Sequence, residues 1–155
     1  MTKEIIRRNA ADNVYLHKDF HGALSTGIAY LEQRYGAEAV HDYLRQFARA
    51  FYAGVTQAIN EWGLTALREH LERIYALEGG QISITCSDDE LLLQVEACPA
   101  VTHMREHGYA AAPLFYETSR TVYAAICEGT PFSVEWLRYD AGSGRSAVRF
   151  FRRPA

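Results

Sequence analysis

Residues 79–98 read GGQISITCSDDELLLQVEAC, and the pattern of this stretch decides the fold. Before Gly80 the apolar residues recur every three or four positions, as they do on one face of a helix. After Gly80 the runs QISITCS and ELLLQVEAC are rich in β-forming residues, and they flank Ser87-Asp88-Asp89, a turn sequence. The stretch therefore predicts that a helical first half of the chain gives way to a β-hairpin.

The rest of the chain extends this division into helices and hairpins. Before the hairpin, residues 19–36, 37–63 and 64–80 are each predicted to form a helix that ends at a glycine. After it, a short helix from Pro99 to about His107 and a longer helix in residues 112–129 precede a second hairpin, whose turn is residues 141–144. Because a lone hairpin is marginal in water, we expect one four-stranded antiparallel sheet built from both hairpins. With helices packed on one face, this is an α+β fold, and residues 1–155 form a single domain.

Composition limits the classes of function. The chain has 155 residues and a formal charge of −3, so it lacks the broad basic surface that nucleic-acid binding needs. No segment reaches the roughly 18 apolar residues of a membrane span, and the first residues contain no signal-peptide core. We therefore expect a cytoplasmic protein with no nucleic-acid or membrane partner. Its three cysteines, Cys86, Cys98 and Cys127, are predicted to be free thiols.

Residues 97–109, ACPAVTHMREHGY, hold the densest group of reactive side chains. Cys98 precedes Pro99, which favours the first position of a helix, so Cys98 is a candidate N-cap residue. Unpaired backbone N–H groups and the positive end of the helix dipole are expected there, and both favour the thiolate form. His103 and His107 are four residues apart and therefore share one face of that helix.

This pattern has three interpretations. In the first, Cys98 is a small buried residue and His107 favours the C-terminal end of the helix as a cation. In the second, Cys98, His103 and His107 are ligands of a divalent metal, although their spacing is not a standard zinc signature. In the third, Cys98 is a catalytic nucleophile and a histidine transfers protons.

Two further groups are candidates for catalysis or ligand binding. In HKDFHG, His17, Asp19 and His21 occupy alternate positions and would point the same way in an extended segment. Asp19 would then orient His21, or both would be ligands; the alternative is that Asp19 caps the next helix. Glu117 is either a general base or ligand on an apolar helix or a surface partner of Arg120.

Tyrosine is abundant in or beside the predicted helices. Most of these rings are expected in the core with wet hydroxyl groups, and a few are expected to line an apolar pocket between the helices and the sheet. Such a pocket is the usual place for a small ligand.

The long apolar helices of the first half also favour a homodimer.

Several of these segments together resemble the L-2-amino-thiazoline-4-carboxylic acid hydrolase family. They are HKDFHG, LRQFARAFY, LREHLERIYALEGG, CPAVTHMREHGY, YETSRTVYAAICEG and the final hairpin, and the resemblance covers the chain from about residue 13 to residue 153. The most specific parts are Cys98-Pro99-Ala100 and the helix of residues 117–129. The name-giving reaction of that family opens a cyclic, amidine-like thiazoline.

The resemblance implies a small hydrolase, or a related lyase, that acts on a carbon–nitrogen ring. It implies Cys98 as nucleophile or ligand, His103 and Glu117 as acid/base candidates, and His21, held by Asp19, as a second donor or ligand. Tyr116, Arg120 and His107 are expected to bind the substrate, and the cofactor, if there is one, is expected to be a divalent metal.

The last third of the chain also resembles the vinyl-reductase-type domain, which binds small molecules. In that domain a helix ends in a glycine-containing turn before a C-terminal hairpin, and a cysteine often stands just before the final Arg-Phe. Here that stretch is SAVRF, residues 146–150, which has no cysteine. The resemblance implies an alternative function, that of a binding or sensor domain without catalysis.

Overall fold

A computed structural model describes residues 18–154, so His17 lies outside the described residues. The helices are α1 Phe20–Tyr35, α2 Ala37–Phe51, α3 Ala53–Trp62, α4 Leu64–Glu78, α5 Pro99–Glu106 and α6 Glu117–Cys127. The strands are β1 Gln81–Cys86, β2 Glu90–Ala97, β3 Phe132–Tyr139 and β4 Ser146–Arg152. Between residues 18 and 154, no helix combines the length and apolar character that a membrane crossing requires.

The four strands form one antiparallel sheet with the order β1-β2-β4-β3. Each predicted hairpin is present, as β1 with β2 and as β3 with β4. The second strands of the two hairpins pair with each other, so that Leu91 lies opposite Phe150 and Leu93 opposite Val148. The predicted α+β fold with a four-stranded sheet is thus confirmed.

One face of the sheet forms the floor of the core. Strand residues alternate between the two faces, and on the inner face Leu91, Leu93, Val148 and Phe150 are fully buried. Burying a side chain of this size contributes about 1.5–3 kcal/mol, so this face fixes the register of the central pair. The helices cover the inner face, with α4 against β1 and β2 and α6 against β3.

The outer face of the sheet carries ion pairs instead. Arg149 lies 2.6 Å from Glu90 and 3.4 Å from Glu135, and Arg145 lies 2.6 Å from Glu96. Exposed pairs of this kind contribute at most about 1 kcal/mol each. Their main effect is to balance the positive charges of Arg145 and Arg149 on this face with nearby carboxylates.

Two helix predictions were wrong in their extent. The single helix expected over residues 37–63 is interrupted at Tyr52, whose backbone leaves helical geometry (φ −100°, ψ 15°) while its ring packs against Phe47 and His70. The helix expected over residues 112–129 begins only at Glu117. The segment before it is tied to α1, because the backbone N–H of Ala112 donates to the Ser25 hydroxyl at 2.8 Å.

Candidate functional site

A pocket of about 370 Å³ lies among the helices, and it is the principal candidate site. It is enclosed by α1, α2, α4 and α6 together with the beginning of α5. Phe20, Tyr43 and Phe51 line it and are each about half exposed or more (47%, 46% and 65%), so they form its rim. Its volume lies within the range of about 300–1,000 Å³ that is usual for small-molecule sites.

The lining is mainly apolar, with a limited set of polar side chains. The polar and aromatic-hydroxyl residues are His21, Tyr43, Tyr52, His70, Tyr75, Glu78, Cys98, Thr118, Ser119 and Tyr123. A pocket with apolar walls and a few polar groups binds by burial and orients its ligand by hydrogen bonds.

A histidine–carboxylate pair forms one wall of the pocket. His21 Nε2 lies 3.2 Å from Glu78 Oε2, and both side chains are less than a fifth exposed. Asp19 had been expected to orient His21, but the carboxylate beside His21 is that of Glu78 at the end of α4. The imidazole and the carboxylate are thus within hydrogen-bond distance of each other in the lining of the pocket.

Two partly buried tyrosines meet on a further wall of the pocket. The hydroxyl groups of Tyr75, on α4, and Tyr123, on α6, share a hydrogen bond. Burial raises the pKa of Tyr75 well above 10 and that of Tyr123 to about 12. Both side chains are therefore neutral hydrogen-bonding groups at neutral pH.

Cys98 is held between this wall and the second hairpin. It is the N-cap residue of α5, as predicted, and its backbone N–H donates to the carbonyl oxygen of Ser143 at 3.3 Å. Gly144 approaches so closely that a Cβ there would lie 2.3 Å from the Cβ of Cys98, and its φ of +69° also favours glycine. The thiol is thus fixed in the lining of the pocket by backbone contacts.

The expectation that Cys98 favours the thiolate form was wrong. Burial raises the pKa of its thiol above the ordinary value, and this outweighs the backbone N–H groups of Val101 and Ala100, which lower it. The helix N-terminus acts in the predicted direction, but the loss of solvent is the larger effect. At neutral pH the group that faces the pocket is a neutral thiol.

His70 is another neutral group of the lining. Its pKa is lowered to about 4, mainly by burial and also by the positive charge of the nearby Arg73. The ring of His70 meets the ring of Tyr52 edge to face, with centroids 5.6 Å apart. At neutral pH this histidine can accept or donate a hydrogen bond without carrying a charge.

The two histidines of α5 lie in a separate cluster. His103 Nε2 is 2.9 Å from Asp19 Oδ1, and the rings of His103 and His107 are 4.1 Å apart. His107 Nδ1 lies 2.9 Å from the carbonyl oxygen of His103. Neither histidine lines the pocket that contains Cys98. Within residues 18–154, no three His, Cys, Asp or Glu side chains gather as metal ligands, so the expected trio of Cys98, His103 and His107 is not assembled.

Glu117 is buried beside the pocket but does not line it. The hydroxyl of Thr121 donates to its Oε2 at 2.6 Å, and His41 Nε2 lies 3.4 Å from its Oε1. The surface pairing with Arg120 was wrong, because Glu117 is only 6% exposed. Its contacts tie α6 to α2, which makes it a packing residue in this geometry.

The expected substrate-binding residues lie away from the main pocket. Tyr116 packs against Tyr139 with ring centroids 5.6 Å apart and lines a neighbouring cavity of only about 20 Å³. Arg120 is exposed and lines neither cavity. Cys98 lines both cavities and therefore forms part of the partition between them.

Sequence reasoning missed Glu78, His70 and the particular roles of Tyr75 and Tyr123. The signal was present in α4, where His70, Leu71, Ile74, Tyr75 and Glu78 recur every three or four residues and line the pocket together. Their mixture of apolar and polar residues marks a helix face that borders a pocket. A face in contact with solid core is usually purely apolar.

No model of a known protein family matches the chain, and no curated protein matches it in sequence.

Proposed function

We propose that this protein binds a small, largely apolar molecule in the pocket between its helices. The observation that carries the proposal is the pocket itself, with a volume of about 370 Å³ and mainly apolar walls. The rim of exposed aromatic side chains supports it, because aromatic rings give a ligand a large apolar surface on entry. This is the alternative that the resemblance to the vinyl-reductase-type domain implies.

The state of Cys98 favours binding over nucleophilic attack. The nucleophilic form of cysteine is the thiolate, and burial raises the pKa of this thiol. Neutral hydrogen-bonding groups surround it, since Tyr75 and Tyr123 also have raised pKa values. Such a set orients a bound molecule without reacting with it.

Binding is tested with a neutral fluorescent probe, N-phenylnaphthylamine, and a variant that fills the pocket. Ser119 lines the pocket on α6, and Ser119→Phe is expected to abolish the fluorescence gain of the probe while the melting temperature is maintained. Ala124→Phe, on the exposed side of the same helix, is the matched control and is expected to bind like the wild type. Equal probe binding by both variants would refute the proposal.

A second candidate function is hydrolysis of a small cyclic carbon–nitrogen compound, as the resemblance to the hydrolase family implies. The observation that favours it is that the His21–Glu78 pair and Cys98 line the same pocket. His21 would accept a proton from water as the water oxygen adds to the C=N carbon, and Glu78 would stabilise the imidazolium. His21 would pass that proton to the ring nitrogen. The bond from the tetrahedral carbon to a ring heteroatom would then break as the carbonyl group forms, and the hydroxyl proton would go to the departing heteroatom.

Hydrolysis is tested by mass spectrometry of the product. A ring-opened product heavier than the substrate by one water is expected with the wild type, and its formation should fall at least about a hundredfold in His21→Gln. His107→Gln, in the separate cluster of α5, is the control and should retain activity. Recovery of an unchanged ligand from the wild type would leave binding as the function.

The cytoplasmic location and the homodimer remain predictions. Phe51 and Trp62 are large, strongly exposed side chains on α2 and α3, and they favour a contact between copies. Light scattering over a range of concentrations measures the mass, and a constant monomer mass would contradict the homodimer.

A further inference from the structure

A second concave surface of the protein is an open groove of about 700 Å³ between α3 and α4. On the α3 side it is lined by Gly54, Val55, Ala58 and Trp62, whose spacing of three or four residues places them on one face of the helix. A Cβ placed on Gly54 would meet no other described part of the chain within 4 Å. The groove is therefore open at the beginning of α3, and small residues form its floor there.

Trp62 lies at the other end of this groove and is strongly exposed. It is 73% exposed, the largest exposed fraction of any large apolar side chain in the described part of the chain. As the last residue of α3 it is roughly two helical turns, or about 12 Å, from Gly54. Burial of an aromatic side chain removes about 150–250 Å² from water. The groove thus has a protruding apolar ring at one end and an open floor of small residues at the other.

Two opposite charges line the α4 side of the groove. Glu69 and Arg73 are exposed and lie one turn apart on the same face of α4. Within residues 18–154 neither forms an ion pair, and the neighbouring ion pair of α4 joins Arg68 to Glu72 at 4.0 Å. Arg73 Nη2 lies 3.4 Å from His70 Nδ1 instead. The two charges therefore suit a partner surface that presents a base and an acid in the reverse order.

A second copy of this chain presents that reverse order. When identical surfaces meet about a two-fold axis, residue i of one copy contacts residue j of the other, and j contacts i in return. With the axis between Glu69 and Arg73, α4 of the second copy runs in the opposite direction, and each Glu69 faces the Arg73 of the other copy. The same rotation brings each Trp62 to the far end of the other copy's groove, near Gly54.

We propose that the groove between α3 and α4 is the interface of a homodimer, in which Trp62 of each copy is buried in the groove of the other. Each ring lies on the floor formed by Gly54 and Ala58, close to Arg73, and tryptophan is the best aromatic partner for a guanidinium group. Two tryptophans bury up to about 500 Å², and the surfaces of α3 and α4 beside the grooves supply the rest of the about 1,200 Å² that a stable interface needs. The interface specifies the homodimer predicted above and does not depend on the ligand-binding function.

Self-complementarity favours a second copy over a different protein. The groove and the ring that fills it lie on the same surface, which is the requirement for a two-fold interface. A groove for an acidic or a basic segment would carry charges of one sign, whereas Glu69 and Arg73 are one of each. His70 lines both the groove and the main pocket, so a dimer of this kind also covers the groove side of one pocket wall.

The test compares the dissociation constants of the dimer in matched variants by analytical ultracentrifugation. Trp62→Ser should raise the Kd at least about thirtyfold, the loss typical of a tryptophan at the centre of an interface. Tyr35→Ser is the control and should dimerise like the wild type, because Tyr35 on α1 is also strongly exposed (65%) but does not line the groove. On dilution, the tryptophan emission of the wild type should shift to the red as Trp62 returns to water, and this shift should be absent in Trp62→Ser.

A charge reversal provides the second measurement. Glu69→Arg places like charges opposite each other in both halves of the interface and should raise the Kd at least about fivefold. Arg73→Glu in the same chain restores opposite charges, so the double variant should return to within about threefold of the wild type. Glu72→Arg is the matched control, because it changes the net charge equally but Glu72 does not line the groove. It should dimerise like the wild type.

The outcomes separate this interface from the homodimer in general. If the wild type is a monomer at every concentration up to about 0.5 mM, both are overturned, and the groove is left to a different partner. If the wild type dimerises and Trp62→Ser dimerises equally, or if the double variant does not recover, this interface is overturned and the homodimer stands. Weaker association of Trp62→Ser and Glu69→Arg, with recovery in the double variant, supports the interface. Binding of N-phenylnaphthylamine tests the ligand-binding function independently of these results.

Discussion

Replacement of Gly144 by alanine should destabilise the protein at the point where the second hairpin holds Cys98. Gly144 has a φ of +69°, and a Cβ there would lie 2.3 Å from the Cβ of Cys98 and 3.2 Å from Cγ2 of Val101. The first of these distances is far below van der Waals contact, and the neighbouring atom belongs to a short side chain beside the backbone. Relief of the overlap therefore requires a backbone shift.

The expected loss in the free energy of unfolding of Gly144→Ala has two parts. An alanine in the left-handed region costs about 1–2 kcal/mol. Overpacking of a tight contact adds about 1–3 kcal/mol. The sum of about 2–5 kcal/mol corresponds to a fall in melting temperature of about 5–15 °C for a protein of this length.

The assay is urea unfolding followed by circular dichroism, with Gly108→Ala as the matched control. Gly108 has a similar φ of +73° but no heavy atom within 4 Å of the position of a Cβ, so its substitution has only the backbone cost. Gly144→Ala combined with Cys98→Gly should be less destabilised than the sum of the single variants, because the second change removes the obstructing Cβ.

The reasoning would be refuted if Gly144→Ala and Gly108→Ala lost the same stability. It would also be refuted if the two substitutions at positions 98 and 144 were additive, since the overlap predicts an interaction between them. Either result would mean that the loop can move away from α5 at little cost and that Cys98 is not rigidly held.

Three other outcomes are expected. Alkylation of Cys98, read by peptide mass mapping, should become fast only above the ordinary cysteine pKa of about 8.5, because burial raises its pKa; rapid labelling at neutral pH would contradict this. The pKa of His70 is about 4 in the folded protein, so as the pH falls the unfolded chain takes up the His70 proton before the folded chain does. The contribution of His70 to the free energy of unfolding should therefore be fully present above about pH 6.5 and decline as the pH falls toward 4. This decline should be smaller in His70→Gln, and an unchanged pH profile of unfolding in that variant would count against the shift. Asp19→Asn should cost less than about 1 kcal/mol in urea unfolding, because Asp19 is half exposed where it meets His103; a loss above about 2 kcal/mol would show a stronger role.

The hairpins of the sheet could be predicted from the sequence because the signal for each hairpin is local. Alternation of apolar and polar residues along 81–97 and the turn at 87–89 determine a hairpin without reference to the rest of the chain. The interruption at Tyr52 could not be predicted in this way. The apolar period continues through it, and the deviation depends on where the Tyr52 ring packs, against His70 on another helix.

The site was also predicted only in part, because some of its properties depend on local sequence and others depend on tertiary packing. The N-cap position of Cys98 follows from the proline after it, and it is confirmed. The thiol pKa depends instead on burial by residues distant in sequence, among them the loop at Gly144. The partner of Asp19 is also set by tertiary packing, which brings His103 of α5 to the beginning of α1.

The strand order has a consequence for how the chain folds. Each hairpin closes a short loop, but the central pair joins residues 51 to 61 positions apart, from Val95 with Ser146 to Glu90 with Phe151. Long-range pairings form slowly, because the loop entropy is lost before the contacts are gained. The hairpins are therefore expected to form early, and the pairing of β2 with β4 is expected to follow more slowly. Since that junction brings the loop at Gly144 against Cys98, we expect this wall of the pocket to be completed in the slowest step of folding.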